Sequence, residues 1–88
     1  MAFEEILIPA ITGYKLEEIE ESNRPALLAY CVKFFLDFIF AFVEEVYGKK
    51  ELIRLKSGLI FQDSKLYLKF PELNKIFDEA YTSFFKAI

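Results

Sequence analysis

The segment from Ala26 to Tyr47 is apolar around most of a helix's circumference, and this narrows the folds open to the chain more than any other feature. It begins after Ser22-Asn23-Arg24-Pro25, where Ser or Asn suits a helix cap and Pro suits a first turn whose N–H has no intrahelical partner. It ends at Gly48, a residue suited to the position just past a helix. A single helix over 24–47 is therefore expected. At about 100° per residue, Lys33, Asp37 and Glu44 fall on one narrow stripe, extended by Ala26 and Ala29. Leu27, Leu28, Cys31, Val32, Phe34, Phe35, Leu36, Phe38, Ile39, Phe42, Val43 and Val46 fill an arc of roughly 200°, about twice the minimum apolar stripe of a surface helix. Such a helix must be covered on two or three sides.

The remaining segments supply candidate cover. From Pro71 to Ile88, apolar Leu73, Ile76, Phe77, Ala80, Tyr81, Phe84 and Ile88 recur at steps of three and four, opposite Asn74, Asp78, Thr82 and Lys86. That is an amphipathic helix able to cover one side. Lys65 to Phe70 alternates, with Leu66, Leu68 and Phe70 on one face and Lys65, Tyr67 and Lys69 on the other. This predicts a strand paired with Leu59-Ile60-Phe61 across Gln62-Asp63-Ser64, a hairpin within 59–70. Glu51 to Lys56 fits either a further strand turning at Ser57-Gly58 or a short helix ending there. Phe3 to Ile8 is apolar and is expected to break at Pro9. Tyr14 to Glu21 is expected as a short helix that buries Leu16 and Ile19 and exposes Glu17, Glu18, Glu20 and Glu21. Together these predict a predominantly helical α+β fold in a single domain spanning 1–88, with an all-α bundle as the alternative.

Size turns the apolar arc into an expectation about partners. The chain has 88 residues, 55% hydrophobic and 18% aromatic, with 11 Phe. A chain this short has little interior in which to hide so many rings. Large uncovered apolar patches on soluble proteins usually mark contact sites, and association commonly stabilises small scaffolds. Leu28, Phe34, Phe35, Phe38 and Phe42 are the candidate self-association residues, with a homodimer favoured among homo-oligomers and a different protein chain as a further partner class.

Other chemistries find little support. The sequence has no His, so the commonest general acid and base is missing and Glu-x-x-His diiron pairs cannot form. Ser22, Ser57, Ser64 and Ser83 have no evident activating neighbour, and Gly13, Gly48 and Gly58 are too scattered for a phosphate-cradling loop. Glu17-Glu18-Ile19-Glu20-Glu21 reads as a solvated acidic face placed favourably before a helix N-terminus rather than as a cation site. No cofactor, metal or catalytic residue is expected, and the protein is expected not to be an enzyme. The single cysteine, Cys31, cannot form a disulfide framework and reads as a buried hydrophobe. Arg24 to Val43 approaches membrane-spanning length, but Lys33 and Asp37 would each cost about 2.5–3.5 kcal/mol near a bilayer centre. Met1-Ala2-Phe3 leads into Glu4-Glu5 without a basic stretch, so a cytoplasmic location is expected.

Charge is unevenly distributed. Residues 1–48 carry nine acids and three bases, a net of −6, and residues 49–88 carry five acids and eight bases, a net of +3. Oppositely charged halves attract, within one chain or between copies. The rival explanation is a winged-helix-like nucleic-acid-binding regulator that uses a basic hairpin, with Lys49, Lys50, Arg54, Lys65, Tyr67 and Lys69 as its contacts. A pI near 5.0 opposes it, and outward Lys residues also guard strand edges against aggregation. The function expected is therefore a small self-associating interaction module: an adaptor, inhibitor or accessory subunit that works through its surfaces.

Overall fold

The structure is a computed structural model and describes residues 3–62 and 65–88. It is a predominantly helical α+β fold. Helices α1 (Phe3–Thr12), α2 (Arg24–Tyr47) and α3 (Lys49–Gly58) are followed by strands β1 (Leu59–Gln62) and β2 (Lys65–Leu68) and by helix α4 (Asn74–Ala87). Short 3-10 turns cover Leu16–Glu18, Glu21–Asn23 and Pro71–Leu73. The hairpin rules out the all-α alternative.

Helix α2 is the axis of the molecule, and α1, α3 and α4 all pack against it. Its buried residues are Leu28, Cys31, Val32, Phe35, Ile39 and Val43, which lie within about 120° of one another on the helix. Asn23 holds the N-cap position but makes no side-chain cap bond, and Pro25 lies in the first turn. At the other end, the Gly48 N–H donates to the carbonyls of Glu44 (3.0 Å) and Val43 (3.2 Å). The Gly48 carbonyl then accepts from the N–H of Leu52 in α3 (3.2 Å). One residue thus closes one helix and opens the next. Its backbone, at φ 96° and ψ 169°, occupies a region essentially reserved for glycine.

Residues 49–58, which pattern alone leaves open, are helical. Leu52, Leu55 and Gly58 form the inner face of α3. The chain enters β1 directly from Gly58. The hairpin is antiparallel, with Leu59 opposite Leu68, Ile60 opposite Tyr67, Phe61 opposite Leu66 and Gln62 opposite Lys65. Leu66 and Leu68 are half-buried while Lys65 and Tyr67 face solvent, as the alternation predicts. The second strand is shorter than expected and stops at Leu68. Beyond it the Lys69 N–H donates to the Gly58 carbonyl (2.7 Å), and the Phe70 ring lies over Gly58. Asp63 and Ser64, expected in the turn, lie outside the described residues.

Two expectations for the N-terminal region are corrected. Pro9 does not break the first segment but sits inside α1. An interior proline costs about 3 kcal/mol. Leu7 and Ile8 are fully buried, and each gains roughly 1.5–3 kcal/mol from leaving water, so their burial offsets that cost. Residues 14–21 form no regular helix: the chain makes two separate 3-10 turns instead. Leu16 and Ile19 still pack on the core, and Glu17, Glu18, Glu20 and Glu21 remain exposed.

Helix α4 follows its predicted faces, with Ala80 and Phe84 buried and Asn74, Asp78, Thr82 and Lys86 exposed, while Leu73, also buried, lies in the 3-10 turn that precedes it. The exception is Ile88, which lies past the helix and is exposed. Phe84 is the hub of an aromatic cluster. Its ring centroid lies 4.9 Å from Phe35, 5.4 Å from Phe38 and 6.0 Å from Phe34, with edge-to-face geometry in each case. Such pairs add to plain area burial and fix the α2–α4 packing. The Tyr47 hydroxyl donates to the Glu79 carboxylate, joining the end of α2 to α4.

Candidate interaction surface

Three packed helices leave one side of α2 open. Its floor is the predicted polar stripe: Ala26, Ala29, Lys33, Asp37 and Glu44 are all exposed. Two aromatic residues stand beside it. Tyr30 is 65% exposed and Phe34 46% exposed, the latter meeting the Phe84 ring edge-to-face. Two hollows flank the stripe and share Lys33 and Asp37. One, of about 220 Å³, is lined by Tyr30, Lys33, Phe34 and Asp37. The other, of about 390 Å³, is lined by Ala29, Val32, Lys33, Leu36, Asp37, Phe40 and Phe61, so the hairpin forms its far wall. Lys33 and Asp37 lie one turn apart, and neither forms an ion pair among the described residues.

The five residues expected to form a self-association face are divided by the structure. Leu28 and Phe35 belong to the chain's own core, at 5% and 0% exposure. They are corrected as surface candidates because they occupy the centre of the apolar arc, where α2 meets its neighbours. Phe38 and Phe42 are half-buried; their rings stack at 6.5 Å beside α4. Phe34 alone of the five is open. Sequence reasoning missed Tyr30, although its signal was present: at about 100° per residue it falls between Asp37 and Phe34, at the border of the polar stripe.

The residues of the basic alternative are more scattered in role. Lys49, Lys50 and Lys56 share the outer face of α3 with Ile53, and no acid lies among them. Arg54 is committed within the chain: its guanidinium pairs with Glu51 (3.4 Å) and Glu72 (3.1 Å), clamping α3 to the 3-10 turn that leads into α4. Lys56 sits over the Phe40 ring at 5.2 Å and Lys69 over the Phe70 ring at 6.0 Å. Lys65 and Tyr67 are exposed on the outer hairpin face.

Burial pushes the Cys31 thiol up, away from the thiolate form that reacts. The hydrogen bond to Glu79, together with burial and the carboxylate's charge, pushes the Tyr47 hydroxyl up. No cluster of three metal-ligating side chains occurs among the described residues. The segment Glu21–Tyr47 is long and apolar enough to cross a membrane, its most apolar 18-residue window having a mean hydropathy of 2.1. The core helix of a soluble domain meets the same criterion; here α2 is the helix against which α1, α3 and α4 pack.

Fold and surface together define a small helical domain with one hairpin and an open, partly aromatic helix face. No family model, curated protein or solved structure matches the chain.

Proposed function

We propose that this protein is a small, self-associating interaction module of the cytosol. It acts as an adaptor, inhibitor or accessory subunit without catalysis of its own. The observation that carries the reading is the open strip of α2, where Tyr30 and Phe34 remain in water and line one of the two hollows that flank Lys33 and Asp37. Fully burying one such side chain is worth roughly 1.5–3 kcal/mol, so a second chain seated there gains from both rings. A buried, unreactive Cys31 fits a reducing compartment.

The test is sedimentation velocity of the full chain over micromolar concentrations. A dimer is expected. Phe34→Glu should convert it to a helical monomer, because Phe34 lies at the rim of the core rather than within it. A wild type that stays monomeric throughout would overturn the reading.

A second reading has one observation in its favour. Helix α3 runs directly into the hairpin and presents Lys49, Lys50 and Lys56 on its outer face, an order of helix and wing that suits contact with phosphates. It predicts salt-sensitive binding of DNA or RNA that is weakened by Lys65→Glu with Lys69→Glu. No shift in a low-salt binding assay would remove it.

A further inference from the structure

We propose that a second copy lies antiparallel on α2, across a two-fold axis level with Phe35, so that Lys33 of each copy meets Asp37 of the other. This rests on the self-association reading and adds to it an orientation, a register and a specific pair of contacts.

The spacing of the open strip sets the register. Ala26, Tyr30, Lys33, Asp37, Phe40 and Glu44 follow one another at alternating steps of four and three, the spacing of a coiled-coil seam. All are exposed except Phe40, which is half-buried. An antiparallel copy centred on Phe35 brings Ala26 opposite Glu44, Tyr30 opposite Phe40 and Lys33 opposite Asp37, each pair occurring twice. Tyr30 then points at the hollow of about 390 Å³ walled by Leu36, Phe40 and Phe61. Glu44 comes to lie over the N-terminal turn of the opposite α2, where an acidic group is favoured by the helix dipole.

Charge decides the orientation. A parallel pair in register sets Lys33 against Lys33 and Asp37 against Asp37, which is repulsive at both levels. The antiparallel pair makes both contacts attractive, as a two-fold interface between identical surfaces requires. The two charges do not satisfy each other within one chain. Along a helix, a base one turn before an acid is the weaker order for such a pair. Both groups are therefore available to a neighbour.

The experiment uses charge reversal in the full-length chain, with sedimentation equilibrium as the readout. Lys33→Asp places acids opposite acids, and Asp37→Lys places bases opposite bases. Each alone should weaken self-association by roughly tenfold or more. An equimolar mixture of the two variants should associate about as tightly as the wild type, because every opposed pair is again of unlike charge. Native mass spectrometry should find the heterodimer dominant in that mixture. Circular dichroism checks that each variant keeps its helices, which exposed positions allow. A wild-type dimer whose affinity neither reversal changes would overturn the register while leaving self-association standing. Two monomeric variants that do not recover on mixing would overturn it as well. A monomeric wild type would instead overturn the reading on which it rests.

Discussion

Gly58 shows how one missing methyl group sets a junction. A Cβ at this position would lie 2.6 Å from Cδ2 and 2.9 Å from Cε2 of Phe70, closer than van der Waals contact permits. Phe70 is half-buried over the junction and cannot swing away without exposing its ring. Two effects of opposite sign therefore compete in Gly58→Ala. Alanine favours the helical backbone of α3 by up to about 1 kcal/mol. Overpacking against the ring costs about 1–3 kcal/mol. The steric cost outweighs the gain in helix propensity, so urea unfolding should show a net loss of stability for Gly58→Ala. In a Phe70→Ala background the ring is gone, and the same change should become neutral or mildly stabilising. An equal cost in both backgrounds would mean that the ring is not the cause. Gly48 constrains the chain differently: nothing lies within 4 Å of its notional Cβ, and only its positive φ restricts it.

Among the elements, those legible in the sequence have a period that a single partner surface imposes. Helix α2, helix α4 and strand β2 each turn one face inward, and their apolar residues repeat accordingly. Legibility fails where the deciding force is not periodic. Residues 49–58 place only Leu52 and Leu55 inward as apolar side chains, too few to distinguish a helical from an extended repeat. Pro9 reads as a breaker because the burial of Leu7 and Ile8, which outweighs its cost, depends on tertiary contacts that the local sequence does not display. The candidate surface is a mixed case. The polar stripe of α2 and the openness of Phe34 follow from the helical wheel. The burial of Leu28 and Phe35 follows from it too, once the arc is divided into a centre facing the core and borders facing solvent. Tyr30 lies outside the apolar arc, and its role comes from the hollow it shares with Lys33, Phe34 and Asp37. The hairpin's part in walling the second hollow through Phe61 has no signal in the sequence, because it depends on how α3 aims β1 back toward α2.

At the scale of the whole molecule, shape and surface bear on stability. The molecule measures 40 × 25 × 19 Å with a radius of gyration of 13.5 Å. A compact domain of this length has a radius of about 12 Å. Its accessible surface is 5868 Å². A folded monomer of 10.3 kDa exposes about 5,350 Å², so this one carries about a tenth more. An elongated monomer with surplus surface is one whose stability should depend on its own concentration, since any partner that binds only the folded state stabilises it by mass action. For a dimer that unfolds to two chains, each tenfold increase in protein adds about 1.4 kcal/mol per dimer. With an unfolding entropy of roughly 2.1 cal/mol/K per residue across both copies, that raises Tm by about 4 °C. Calorimetry of the wild type over a tenfold or greater range should show this rise, and Phe34→Glu should lower Tm and abolish its dependence on concentration. A wild-type Tm that stays constant over the range would mean that the open face of α2 contributes nothing to holding the fold together.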